Sequence, residues 1–148
     1  MFSDPEVIRH LDGALSPAAA SALFDGILDG RRARVAFAWI ATPRSGGAPL
    51  GHGALLRDGD ALELGYVLPR SAWGRGYATE IGGAIVAFAA RPVGEGGLGR
   101  RRLVATVDVS HPPSIRVLEK LGLSRIDREQ DGDGEFFRYA KDFRLQRP

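Results

Sequence analysis

The sequence predicts a mixed α/β domain, a mostly antiparallel sheet flanked by helices, and three observations carry that expectation. Short apolar segments bounded by turn residues recur over residues 34–68. The period then changes to helical over residues 76–90 before another strand pattern begins. Finally, the chain closes on a hairpin signature. Its 148 residues, 44% hydrophobic and 26% charged, suit a single domain spanning 1–148 that buries one core. Neither an internal repeat nor a polar linker divides it.

Asp4 followed by Pro5 places an N-cap before a proline at the first helical position, opening a short helix to about residue 11. Ser16-Pro17 repeats the signal for a second helix, with Leu23, Phe24, Ile27 and Leu28 on one stripe and Gly30 as its left-handed cap. Residues 34–41, Arg-Val-Ala-Phe-Ala-Trp-Ile-Ala, read as a strand, and 42–49, with Pro43, Gly46 and Gly47, as a hairpin loop. A second strand over 50–57 meets the Asp58-Gly59-Asp60 turn and a third runs over 61–68, completing an antiparallel meander. In 76–90, Ala78, Ile81, Ile85 and Phe88 recur at helical spacing. Over 101–108, Leu103, Ala105 and Val107 alternate with Val104, Thr106 and Asp108. Strand, helix, strand implies a right-handed crossover between roughly parallel strands. Pro112 and Pro113 open a helix carrying Ile115, Leu118 and Leu121, which Gly122 closes. Residues 123–130 and 135–143 pair through Asp131-Gly132-Asp133-Gly134. Trp39, Trp73, Phe136, Phe137 and Tyr139 are expected in the core, with Trp73, beside a glycine turn, also a candidate to shield a bound ligand.

Composition narrows the chemistry. The absence of cysteine excludes a disulfide framework, a thiolate zinc site and a cysteine nucleophile, and three scattered histidines suggest no metal site. No apolar run reaches the roughly 18 to 20 residues of a membrane span, and the N-terminus lacks signal-peptide order, so the expected location is cytoplasmic, away from membranes. A formal charge of +2 and isolated arginine clusters, Arg31-Arg32 and Arg100-Arg101-Arg102, do not suggest a nucleic-acid partner.

The most informative stretch is 65–78, a strand followed by a glycine-rich turn that opens a helix. Glycines admit an anion close to the backbone, and the first N–H groups of a helix lack intrahelical partners at the positive end of its dipole. Taken alone, Gly74-Arg75-Gly76 is equally compatible with a tight loop and nothing more.

Two blocks give it context. Glu63-Leu64-Gly65-Tyr66-Val67-Leu68 followed by Trp73-Gly74-Arg75-Gly76-Tyr77-Ala78-Thr79-Glu80 resembles the acyl-CoA pyrophosphate loop of the GNAT superfamily of N-acetyltransferases, in particular its ribosomal-protein (RimJ/RimL-like) branch. Ser114-Ile115-Arg116-Val117-Leu118-Glu119-Lys120-Leu121-Gly122-Leu123 is similar to the second motif of that family. Ser71 stands at the family's Gln/Arg position, so the resemblance assigns phosphate binding chiefly to backbone amides. His111 replaces the usual Asn, and Leu118 the tyrosine that in many members protonates the departing thiolate. On the resemblance, the family's first strand is expected to be missing here, leaving the strand at 34–41 as a sheet edge and a homodimer as a candidate assembly.

The resemblance implies acetyl transfer from acetyl-CoA, as co-substrate and without metal, to a primary amine of a protein N-terminus or a small molecule. The amine attacks directly, through a tetrahedral intermediate, where the strands at 61–68 and 101–108 splay apart. The implied cofactor-binding residues are Val67, Leu68, Gly74, Arg75, Gly76, Tyr77, Ala78 and His111, with a backbone N–H near Val67 or Leu68 facing the oxyanion. Glu63 is the expected general base, with Glu135 a second candidate, and Ser114 the expected thiolate partner or else a helix cap. His10 and His52 are candidate acceptor-pocket residues or ordinary core and surface histidines. One arginine cluster is a candidate for the adenosine 3′-phosphate. The alternative is a non-catalytic acyl-CoA-binding or regulatory module.

Overall fold

Residues 34–144 are described in the structure, a computed structural model. The helices expected over 4–11 and 16–30, with His10 and Arg31-Arg32, lie outside them. The elements follow in order as β1 (Val35–Ala41), β2 (Gly51–Asp58), β3 (Ala61–Val67), a 3₁₀ turn (Arg70–Ala72), α1 (Tyr77–Ala90), a second 3₁₀ turn (Val93–Glu95), β4 (Arg102–Asp108), α2 (Pro112–Lys120), β5 (Ser124–Asp131) and β6 (Gly134–Asp142). Each boundary falls within about two residues of the sequence-based expectation, because alternation and helical spacing end where turn chemistry begins.

The strands form one six-stranded sheet in the order β1-β2-β3-β4-β6-β5, mixed in direction, with β1 at one edge among the described residues. Among the described residues only β3 and β4 pair in parallel, which the crossover through α1 allows. Among the described residues, the core lies on one face of the sheet. Leu55, Leu62, Leu64, Leu103, Ile85 and Leu118 meet there with α1 and α2. α1 approaches closely because β2 carries glycine where it presses. A Cβ at Gly53 would stand 2.4 Å from Ile85 Cδ1 and 3.0 Å from Ile81 Cγ2.

Tyr139 is buried and Phe137 packs against the core, as expected. Trp73 corrects the expectation. It is 44% exposed, and its indole N–H donates to the Leu68 carbonyl at 2.9 Å.

His52 is buried in β2, and burial lowers its pKa below the ordinary imidazole range. Above pH of about 6.5 both folded and unfolded chains hold it neutral. As pH falls through that value the unfolded chain takes the proton first, so stability declines with acidification. Thermal melts between pH 7.5 and 5 should therefore fall more steeply for wild type than for His52→Gln; equal slopes would remove His52 as the cause.

Candidate active site

The β2–β3 ladder continues to Val67 and the β4–β6 ladder to Asp108. Between β3 and β4, however, pairing is confined to Leu62 with Leu103 and Glu63 with Val104. Beyond that point the parallel strands separate. The facing edges of 64–67 and 105–108 are not joined in a β3–β4 ladder, and edge amides of this kind are strong hydrogen-bonding groups in need of partners. Val67 and Leu68 lie at the end of that free edge, so the backbone there can pair with an extended, amide-bearing ligand as a strand would.

Just past the opening, the chain tightens. Ala72 N–H donates to Pro69 O at 2.9 Å and Trp73 N–H to Arg70 O at 3.0 Å, while Trp73 holds Leu68 from its side chain. Gly74 and Gly76 then adopt φ of 68° and 80°, the left-handed region that favours glycine. Gly76 is the N-cap of α1 and offers no side chain to cap it. The first intrahelical bond closes from Glu80 N–H to Gly76 O, so the amides of Tyr77, Ala78 and Thr79 precede it without helical partners. A Cβ on Gly74 or Gly76 would meet nothing within 4 Å, which leaves room for a ligand against the backbone. Arg75 lies with its guanidinium 5.1 Å from the Tyr77 ring centroid, a cation at the same mouth. Open space, unpaired amides, a helix N-terminus and an arginine together fit a pyrophosphate.

Glu63 stands at the crotch of the fork. Alternation places it on the sheet face opposite Leu62 and Leu64. Its side chain is only 13% exposed. Thr106 Oγ1, two residues past the last paired residue of β4, donates to Glu63 Oε1 at 2.6 Å, and Arg34 Nη2 donates to Oε2 at 3.0 Å. The carboxylate therefore bridges both arms of the opening and retains further acceptor capacity. Glu135, by contrast, is tied to Arg128 on the exposed terminal hairpin.

On the helix face, Tyr66 Oη and Ser114 Oγ are 2.7 Å apart. Burial pushes the Tyr66 phenol up from its ordinary pKa, partly offset by the Ser114 hydrogen bond. Ser114 thus sits in the first turn of α2 facing the opened arm of β3, and no side chain caps that helix. His111 is its N-cap residue and donates its backbone N–H to Asp108 O at 3.0 Å.

The fork thus carries Glu63 at its base and Val67 and Leu68 at its open end, with Ser114 facing the β3 arm and the glycine turn following it. It does not bring Arg100-Arg101-Arg102 there. Arg102 begins β4 beside the N-terminal end of β3, whereas the glycine turn follows its C-terminal end, so this cluster is no partner for an adenosine phosphate. Tyr66 and Thr106 escaped the sequence reading as site residues. Tyr66 lay inside the motif that was singled out, and alternation alone sends it to the helix side; its partner 48 residues away gave no signal.

The family model of the acetyltransferase (GNAT) domain matches residues 1–124. The chain belongs to the GNAT acetyltransferase family. Among its relatives, this GNAT chain is 27% identical to the uncharacterized protein YkkB of Bacillus subtilis (strain 168) over 130 residues, 83% of this chain and 71% of that one. A solved GNAT-family acetyltransferase from Bacillus anthracis superposes with a TM-score of 0.79 at 21% identity, covering 95% of this chain and 84% of its own. The aminoglycoside acetyltransferase AAC(6')-Ib, solved with coenzyme A, superposes with a TM-score of 0.73 at 15% identity over the same shares, 95% and 84%. At these identities the two structures speak for the fold.

Proposed function

We propose that this GNAT chain transfers the acetyl group of acetyl-CoA to a primary amine, a protein N-terminus or a small-molecule amine, by direct attack through a tetrahedral intermediate. The observation that carries this reading is the opening between β3 and β4, with a phosphate-suited turn at its mouth and a carboxylate at its crotch. The GNAT neighbour solved with coenzyme A supports acetyl-CoA as co-substrate. The motif at 63–80 favours the RimJ/RimL-like branch within the family. A cytoplasmic location and a homodimer belong to the same proposal.

In this reading Gly74, Arg75, Gly76, Tyr77 and Ala78 hold the pyrophosphate, and the free edge at Val67 and Leu68 pairs with the pantetheine amides. His111 flanks the same channel from the start of α2. The amine approaches from the sheet face opposite α1 and α2. Glu63, directly or through one water, takes its proton as the C–N bond forms. A backbone N–H near Val67 or Leu68 faces the oxyanion. On the helix face, Ser114, hydrogen-bonded to Tyr66, lies on the side of the departing thiolate.

Thr106 is a positioning residue here, since its hydroxyl fixes the rotamer of Glu63 across the fork. Thr106→Val, which keeps the shape and removes the donor, should lower kcat by about tenfold, within the range that hydrogen bonds to charged groups support. The affinity for acetyl-CoA should stay unchanged by calorimetry. Unchanged kcat would detach Thr106 from Glu63. The reading itself is tested by mixing the chain with acetyl-CoA and amines and following thiol release: release that depends on the amine supports it.

A further inference from the structure

We propose that Tyr66 is the proton donor to the departing thiolate, with Ser114 orienting its hydroxyl. This rests on the acetyl-transfer reading above and names a residue that the sequence motifs do not assign to catalysis.

Placement is the first reason. Tyr66 belongs to the arm of β3 that has left β4, three residues beyond the last paired residue, Glu63. It projects to the helix face with Leu62 and Leu64, while Glu63 projects to the other. The two groups that a transfer needs thus lie on opposite faces of one opening. The amine loses its proton on the carboxylate side, and the thioester sulfur leaves toward the phenol side.

Partnership is the second. Tyr66 Oη lies 2.7 Å from Ser114 Oγ and 3.4 Å from Ser114 O, so the phenol spans from β3 to the first turn of α2. Either hydroxyl can donate in the 2.7 Å contact. With a sulfur beside it, Ser114 Oγ–H donates to Tyr66 Oη and frees the phenolic proton for the sulfur. The same bond stabilises the phenolate as it develops. Burial favours the protonated phenol between turnovers.

The step balances. The amine nitrogen forms the C–N bond while the carbonyl π pair moves to oxygen. Collapse breaks the C–S bond, the electron pair goes to sulfur, and the sulfur takes the Tyr66 proton. The amine proton passes through Glu63 to water, and the phenolate regains a proton from water. Amine and thioester become amide and thiol.

The test uses the full chain with acetyl-CoA, kanamycin and a peptide with a free N-terminus as acceptors. Tyr66→Phe and Ser114→Ala are compared for acetyl-CoA affinity by calorimetry and for amine-dependent thiol release. Tyr66→Phe should lower kcat by about 100-fold while the acetyl-CoA Kd stays within about threefold, and Ser114→Ala should lose less. Replacing Tyr66 with 3,5-difluorotyrosine, a more acidic phenol of similar shape, should restore turnover and move the alkaline limb of kcat to lower pH. A Tyr66→Phe chain as active as wild type, or one whose Kd weakens in step with kcat, overturns the proposal alone. A larger loss in Ser114→Ala than in Tyr66→Phe overturns it in favour of Ser114. A wild-type chain that binds acetyl-CoA but releases no thiol with either amine overturns the acetyl-transfer reading, and this proposal with it.

Discussion

Gly76→Asp is expected to abolish measurable acetyl-CoA binding, with an affinity at least about 100-fold below wild type, equivalent to roughly 2.8 kcal/mol. Two effects act together. Gly76 holds φ of 80° as the N-cap of α1, where a non-glycine residue is strained by about 1 to 2 kcal/mol. The larger effect is charge. Nothing lies within 4 Å of a Cβ at this position, so the new carboxylate is free to occupy the space and use the amides that a phosphate would use. Gly76→Asn separates the two, because Asn tolerates the left-handed region and carries no charge. It should retain most of the affinity that Asp loses. Calorimetric titration of the three chains with acetyl-CoA checks this; equal weakening by Asn and Asp would assign the effect to the backbone instead.

Glu63→Gln is expected to lower kcat for amine-dependent thiol release by about 100-fold or more, the span that positioned general bases contribute. The substitution is isosteric, keeps an oxygen to accept from Thr106, and lies at the base of the opening, remote from the glycine turn. Acetyl-CoA affinity should accordingly stay within about threefold, a window far below the catalytic loss. Because Arg34 also pairs with this carboxylate, Arg34→Ala is the companion control. It removes an exposed charge partner and should cost much less than Glu63→Gln. A Glu63→Gln chain with wild-type kcat would return the role of base to another group.

Much of the fold was legible because its signals are local. Alternation of Leu103, Ala105 and Val107 marks β4, and Gly76 before Tyr77 marks the start of α1. The phosphate-suited turn was legible for the same reason, since glycines at 74 and 76 encode its backbone directly. The opening itself was expected from family resemblance; no local pattern states that the β3–β4 ladder stops at Glu63 and Val104. Side-chain pairs between elements distant in sequence were the least legible. Thr106 with Glu63, Tyr66 with Ser114, and Arg138 with Asp58 are separated by 43, 48 and 80 positions, and only the register of the strands and the docking of α2 on the sheet bring them together. Trp73 went astray because an aromatic beside a glycine turn looks like core, whereas its ring stays half-exposed and its polar edge is met by a backbone carbonyl five residues earlier. Arg100-Arg101-Arg102 went astray because residue type signals phosphate affinity without telling which end of a strand it occupies.

The most direct measurement is thiol release by the wild-type chain with acetyl-CoA, in the presence and absence of a panel of primary amines. The expected result is release that requires both substrates, saturates in each, and accompanies an amide product. Saturable acetyl-CoA binding with no amine-dependent release would contradict it, and would identify the opening between β3 and β4 as an acyl-CoA-binding site without transfer.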